Sequence, residues 1–167
     1  GALVRRLPAR AEVSRLAFSP DGKRLAAGMG QARVYVSVWD VATGALMIDL
    51  DGGAVEYLDV TMRPDGRALA AAGRAGEAEV WDLTTRKRRM VLVGHTLNAT
   101  NAVWSRDGAL IATASSDRTA RVWDPETGAL LATFRHPHEV MSLQWSQDDA
   151  RLLTGCHDGI PRVWDVH

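Results

Sequence analysis

A tryptophan–aspartate pair recurs four times along this chain at an almost constant interval. The pairs are Trp39-Asp40, Trp81-Asp82, Trp123-Asp124 and Trp164-Asp165, and successive tryptophans are separated by 42, 42 and 41 residues. A fixed period of this size indicates that one supersecondary unit is repeated, and it constrains the fold more strongly than any local signal. The sequence therefore predicts four copies of one structural unit.

Each repeat carries the same signals of short strands and tight turns in the same order. An apolar strand is followed by a turn, which reads Pro20-Asp21-Gly22, Pro64-Asp65-Gly66, Arg106-Asp107-Gly108 or Gln147-Asp148-Asp149. Asp and Gly favour such turns because they tolerate unusual backbone angles. A Leu- and Ala-rich strand, the strand with Trp-Asp and an outer strand follow, which predicts four short antiparallel strands per repeat and no helix of useful length.

Composition narrows the class of protein but does not identify a ligand. The 167 residues include 20 basic and 20 acidic side chains, so the net charge gives no argument for nucleic acid or an anionic membrane as a partner. No apolar run approaches the roughly 18 residues that a spanning helix needs. Cys156 is the only cysteine, which excludes an internal disulfide, and with no export signal we expect a cytoplasmic protein.

Four Trp-Asp pairs at constant pitch, each preceded by a turn signal, resemble the WD-repeat (beta-transducin-like) family over essentially the whole chain. The resemblance implies an all-β fold, a β-propeller with four four-stranded antiparallel blades per chain. We expect one propeller unit spanning 1–167. It would have an outer strand at 1–8 and blades at about 9–50, 51–92, 93–134 and 135–167, the last closed by an N-terminal outer strand.

The polar motif of that family is present in the last two repeats. The resemblance implies one hydrogen-bonded chain of a loop His, a strand Ser or Thr, a turn Asp and the Trp, in which every buried polar group has a partner. The two sets are His95, Thr113, Asp117 and Trp123, and His136, Thr154, Asp158 and Trp164.

The first two repeats lack this motif. Ala11, Met29 and Arg33 occupy the matching positions of repeat one, and Gly53, Ala71 and Ala75 those of repeat two. We expect these blades to depend on apolar packing. Repeat one also has two extra residues between its turn and Trp39, which predicts a longer loop within residues 28–35.

The phase of the repeats suggests how the chain closes. Residues 1–7 align with residues 128–134, so the chain opens on an outer strand, and it ends just after a third strand. Related propellers usually have seven or eight blades, and two chains of four make eight. The leading hypothesis is a homodimer that forms one eight-bladed ring, with each N-terminal strand completing the last blade of the other chain. A self-closed four-bladed ring and a piece cut from a longer propeller are the alternatives.

Catalytic, metal and nucleic-acid sites are weak candidates. The two His–Thr–Asp sets contain triad residue types, but they occur twice and at structural spacing, so no catalytic residue is assigned. His136, His138, Cys156 and His157 match no zinc spacing, so neither a metal nor another cofactor is expected. The basic run 86–89 is explained as protection of an exposed strand edge, and neither nucleic acid nor membrane is expected as a partner.

The function that these observations favour is a non-catalytic scaffold for protein–protein interaction. Partners would dock on the loops that enter each blade and on those between second and third strands. The candidate residues there are Arg10, Arg33, Tyr35, Arg74, Asn98, Asn101, Ser116, Arg118, His138, His157 and Ile160. Two alternatives remain: a regulatory or targeting fragment of a larger protein whose catalytic domain is absent, and a module that only self-assembles.

Overall fold

Fifteen strands and no helix make up the part of the chain that the structure describes. The structure is a computed structural model that describes residues 1–29, 35–51 and 56–166, with residue 35 described for its backbone only. The first seven strands are β1 (Val13–Phe18), β2 (Arg24–Met29), β3 (Tyr35–Asp40), β4 (Leu46–Asp51), β5 (Tyr57–Met62), β6 (Ala68–Gly73) and β7 (Ala78–Asp82). The others are β8 (Lys87–Leu92), β9 (Ala99–Trp104), β10 (Ile111–Ser115), β11 (Thr119–Trp123), β12 (Leu130–Arg135), β13 (Val140–Trp145), β14 (Arg151–Cys156) and β15 (Arg162–Asp165).

The strands form four antiparallel sheets, each a simple up-and-down meander. The sheets have the orders β1-β2-β3-β4, β5-β6-β7-β8, β9-β10-β11-β12 and β13-β14-β15. Each sheet is one propeller blade, which confirms the all-β propeller fold. The fourth blade has three strands within the described residues.

Equivalent residues occupy equivalent places in every blade. The third-strand tryptophan faces the start of the second strand in each sheet, in the pairs Leu25↔Trp39, Leu69↔Trp81, Ile111↔Trp123 and Leu152↔Trp164. The turn before each second strand also repeats: Gly22 and Gly66 have φ near +68°, and Asp149 has φ +56° at the same position of the fourth blade. This turn needs a left-handed residue, which glycine supplies without strain and Asp tolerates.

The hydrophobic core lies between neighbouring blades. The first and second blades bury Val38, Val60 and Trp81 together with their neighbours. Corresponding apolar clusters join the second blade to the third and the third to the fourth. The faces between neighbouring blades are therefore apolar, and each is buried against the adjacent blade.

The N-terminal segment is not a strand in the single chain. Residues 1–12 have no strand assignment, and Arg5 donates to the backbone carbonyls of Ala42 and Thr43, at 2.5 and 2.7 Å. Leu7 packs against a small cluster that includes Trp39. The outer strand expected at 1–8 and its pairing with the last blade remain a prediction. Most of the loop expected within 28–35 lies outside the described residues.

Candidate functional site

Two sets of loops lie together along one rim of the blades. In each of the last three blades, the turn after the second strand donates a backbone hydrogen bond to the loop that enters the blade. These bonds are Arg74 N to Glu56 O at 3.1 Å, Ser116 N to Asn98 O at 3.0 Å and His157 N to Glu139 O at 2.9 Å. Four of the candidate binding residues, Arg74, Asn98, Ser116 and His157, therefore lie on one loop rim.

The third and fourth blades contribute several exposed candidate residues to this rim. Arg118, His138, His157 and Ile160 are exposed there, and Arg118 has φ +69° at a turn position that is glycine in two other blades. Asn98 and Ser116 are half-buried, and the Ser116 hydroxyl donates to Glu139 at 3.2 Å. These turns thus display one arginine, two histidines and one isoleucine to solvent.

Other candidate rim residues have partners inside the chain. Arg10 pairs with Asp49 at 2.7 Å, and Arg74 pairs with Glu56 at 2.6 Å. Asn101 lies between blades rather than on the rim: its amide nitrogen donates to Asp59 at 2.5 Å, and its amide oxygen accepts from Leu143 N at 3.0 Å. Arg33 and the side chain of Tyr35 lie outside the described residues.

The four polar residues of repeat three form one hydrogen-bonded chain that anchors the rim. Trp123 Nε1 donates to Thr113 Oγ1 at 2.7 Å, and Thr113 Oγ1 lies 2.7 Å from His95 Nε2. His95 Nδ1 lies 3.0 Å from an Asp117 carboxylate oxygen, which only accepts, so this nitrogen carries the proton. The Thr113 hydroxyl then donates to Nε2, and each buried group has a complementary partner.

Burial and neighbouring hydrogen-bond donors set the protonation states of His95 and Asp117 in this network. Burial lowers the pKa of His95 below its ordinary value of 6.5, although Asp117 acts in the opposite direction. The pKa of Asp117 is lowered: burial acts to raise it, but hydrogen bonds from Thr119, Thr96 and His95 outweigh burial. At neutral pH the chain therefore holds a neutral imidazole against a carboxylate, which suits a structural support.

Repeat four differs from repeat three at its carboxylate. His136 Nε2 and Trp164 Nε1 both meet the Thr154 hydroxyl, at 2.8 and 3.0 Å. His136 Nδ1, however, lies 3.2 Å from the carbonyl oxygen of Phe134, while Asp158 accepts two hydrogen bonds from Arg162, at 2.6 and 3.1 Å. The expected His136–Asp158 bond is replaced because a guanidinium engages both carboxylate oxygens at once.

The first two repeats bury their tryptophans without such a hydrogen-bonded network. The indole nitrogens of Trp39 and Trp81 have no hydrogen-bond partner among the described residues. The second blade has a different buried network, which sequence reasoning missed. Glu79 accepts a hydrogen bond from the Tyr57 hydroxyl and pairs with Arg88 at 2.6 Å. The sequence signal that could have revealed it is a glutamate in the middle of the Trp-Asp strand, between Ala78 and Val80.

The hydroxyl at the centre of the polar set of repeat three is not accessible to a substrate. The Thr113 hydroxyl belongs to a side chain with no exposed surface, and it already receives the Trp123 indole. Across residues 1–29, 35–51 and 56–166, no three His, Cys, Asp or Glu side chains converge in a metal-binding group. Cys156 Sγ contacts the carbonyl of His138 at 3.3 Å. In the same part of the chain, no helix is both long and apolar enough to cross a membrane.

The basic run lies at the edge of the second blade. Residues 87–89 open β8, the outer strand, and their side chains are exposed. Arg88 pairs with Glu79, and Arg89 pairs with Glu126 of the third blade. Two of these cations therefore have acidic partners within the protein.

Comparison with known proteins agrees with this geometry. The family model described as "WD domain, G-beta repeat" matches residues 1–40, 86–124 and 128–165. This chain belongs to the WD-repeat family, whose propellers are typically non-catalytic scaffolds for protein interaction. The crystal structure of the computationally designed Ika4 protein is similar over 100% of this chain and 99% of that chain. The sequence identity is 27% and the TM-score is 0.86.

Proposed function

We propose that this protein is a non-catalytic interaction scaffold that closes its propeller with a second copy of itself and displays one loop rim to protein partners. The observation that carries the proposal is an exposed apolar face at each end of the row of blades. A soluble monomer rarely leaves such faces uncovered. The two faces are defined by Leu16 and Phe18 on the first blade and by Leu153 and Val163 on the fourth.

The first face is exposed only because it has no preceding blade. Phe18 is 62% exposed, whereas the residues in its place on the next three blades, Met62, Trp104 and Trp145, are at most 8% exposed. Leu16 is 59% exposed, and its counterparts are at most 9% exposed. These side chains have the size and register of a core that is covered in every other blade.

The face of the fourth blade lacks its following blade in the same way. Val163 is 64% exposed, whereas Val38, Val80 and Val122 in the matching place are at most 1% exposed. Leu153 is also exposed, although its counterparts in the other second strands are buried alanines. The two faces are complementary because every junction inside the chain joins one face of the first kind to one of the second.

The phase of the repeats supports the same assembly. The family model treats residues 1–40 as one repeat, and the segments 86–124 and 128–165 start at or just before the outer strands β8 and β12. Residues 1–7 are then equivalent to an outer strand, which is the element that the three-stranded fourth blade lacks. Docked against β15 of a second copy, this segment would cover the open edge of that sheet.

Two copies give eight blades and two identical junctions related by a two-fold axis. The likeness to a designed protein of nearly the same extent supports the idea that four such repeats suffice for an ordered protein. The two exposed apolar faces also favour a second candidate function, a module whose only role is assembly. The loop rim distinguishes the two, because a pure assembly module needs no binding partner there.

Sedimentation equilibrium tests the ring. We expect a species of twice 18.1 kDa at micromolar concentration. Phe18→Asp and Val163→Asp should each give monomers, because each places a charge in a junction. Leu131→Asp is the matched control: Leu131 is 56% exposed on an outer strand, away from both faces, and its substitution should leave the dimer intact. A wild-type monomer at micromolar concentration overturns the assembly.

Deletion of residues 1–6 tests strand exchange separately. The deletion should weaken the dimer but leave the two apolar faces in place, so a dimer with unchanged affinity would refute the exchange.

Pull-down from a lysate with wild-type protein and with the double variant Arg118→Ala, Ile160→Ala tests the rim. A partner that is lost with this double variant but retained with Leu131→Asp supports the scaffold. Equal capture by both would place the docking surface elsewhere.

A further inference from the structure

Two arginines occupy the same structural position at opposite ends of the chain. Arg24 opens β2 in the first blade, and Arg151 opens β14 in the fourth. The matching residues of the second and third blades are Ala68 and Leu110. An arginine is therefore found at this position only in the first and the fourth blades.

Arg24 shows what this position does when a following blade is present. Its guanidinium donates from Nη1 to the carbonyl oxygen of Gly66 at 3.2 Å, and Gly66 lies on the tight turn of the second blade. The contact crosses a cleft of about 480 Å³, lined by Ser19, Pro20 and Arg24 on one side and by Pro64, Asp65 and Arg67 on the other. The arginine thus fixes the turn of one blade against the next.

The turn that precedes Arg151 in the fourth blade has the same hydrogen bonds as the turn that precedes Arg24 in the first. Ser146 N donates to Arg151 O, and Arg151 N donates to Ser146 Oγ, both at 2.9 Å; Ser19 and Arg24 form the same two bonds at the same distances. A cleft of about 350 Å³ lies beside Arg151, lined by Trp145, Ser146, Gln147, Leu153 and Val163. Its residues all belong to the fourth blade, so its second wall is missing.

The geometry points to a role for Arg151 as a specificity-determining residue of the junction between two copies, donating to the carbonyl oxygen of Gly22 in the other copy. This inference rests on the proposed ring. Gly22 is the counterpart of Gly66: both have φ near +68°, and both close their turn with a 2.8 Å bond, to Ser19 O and Arg63 O respectively. A first blade placed on the fourth as the second sits on the first brings Gly22 to Arg151.

The hydrogen bond from Arg151 is directional, whereas the apolar packing between the two copies is not. Leu153 and Val163 can cover an apolar face at several offsets, because hydrophobic contact is not directional. A guanidinium that must reach one carbonyl selects a single offset and penalises others, in which it would be desolvated without an acceptor. Arg151 therefore sets the height of one copy on the other.

Sedimentation equilibrium of Arg151→Gln tests this assignment. The substitution keeps part of the aliphatic stem but loses the reach and the charge, and each dimer contains two such junctions. We expect the dimer dissociation constant to rise about tenfold or more. Gln147→Ala is the matched control, because Gln147 lines the same cleft and its counterpart, Pro20, has no side-chain donor. This control should change the constant by no more than about twofold.

Arg24→Gln separates the junction from the general stability of the blade. It removes the internal counterpart of the same bond, so it should lower resistance to urea while leaving the dissociation constant near that of the wild type. A wild-type dimer whose dissociation constant is unchanged by Arg151→Gln overturns the assignment and leaves the ring standing. A wild-type protein that is monomeric throughout overturns the ring itself, and with it the role of Arg151.

Discussion

Trp123→Phe tests whether the buried indole of repeat three stabilises the blade through a hydrogen bond or only through its bulk. Trp123 Nε1 donates to Thr113 Oγ1 at 2.7 Å, and the Thr113 hydroxyl meets His95 on its other side. Phenylalanine retains an aromatic ring but has no donor. The hydroxyl oxygen of Thr113 then loses the N–H that it accepts from, inside a site with no exposed surface.

The magnitude follows from comparison with a tryptophan that has no partner. Trp39 and Trp123 are both 2% exposed, but the Trp39 indole nitrogen is unpaired among the described residues. Trp→Phe costs a similar packing term at both sites. At Trp123 it also leaves a buried acceptor unsatisfied, which costs about 1–3 kcal/mol, whereas at Trp39 it removes an orphaned donor. We expect Trp123→Phe to be more destabilising than Trp39→Phe by about 1–3 kcal/mol.

Urea unfolding followed by far-ultraviolet circular dichroism measures this difference without relying on tryptophan fluorescence. All variants should be compared at one protein concentration, because the proposed self-association would contribute to apparent stability. Thr113→Val completes a double-mutant cycle. The destabilisation of the double variant should be smaller, by at least about 0.5 kcal/mol, than the sum of the destabilisations caused by Trp123→Phe and Thr113→Val alone. Equal losses at Trp39 and Trp123, together with strict additivity in the cycle, would refute the hydrogen-bond argument.

Three further predictions concern buried polar groups. Because burial lowers the pKa of His95, the folded state binds fewer protons than the unfolded chain, so urea titrations should show stability falling as the pH drops below about 6.5; His95→Gln should flatten that slope. Burial raises the pKa of Asp59, so its ionisation opposes folding as the pH rises above the ordinary value of 3.8. Asp59→Asn should therefore unfold at an unchanged or higher temperature near neutral pH, and a clear loss there would contradict this reasoning. Glu79→Ala should cost about 1–3 kcal/mol in urea unfolding, because it removes the acceptor of the buried Tyr57 hydroxyl, and Glu79→Gln should cost less.

The regular features of the fold could be predicted from the sequence because their causes are local. Pro-Asp-Gly turns and alternating apolar residues act over a few positions, and the Trp-Asp period repeats them four times. The network around Trp123 was predicted from the resemblance to the WD-repeat family, in which each of its members has a fixed place in the repeat. The structure brings together all four of its residues.

The departures arise where two side chains compete for one partner in space. Asp158 is claimed by Arg162, which lies four residues further along and engages both carboxylate oxygens, so His136 donates to a backbone carbonyl instead. Asn101 was expected on the rim but bridges three blades through Asp59 and Leu143. Spacing along the chain does not encode which of several reachable partners wins.

The sequence by itself determined how many blades there are and where the turns before the second strands and the Trp-Asp pairs fall, because strand pairing and turn formation depend on neighbouring residues. Only the tertiary structure decided which apolar residues stay uncovered. Phe18 and Met62 occupy the same place in their repeats, yet one is exposed and the other buried, because burial depends on whether another blade stands in front. The property that points to a second copy is therefore a consequence of the order of blades in space and not of any single residue.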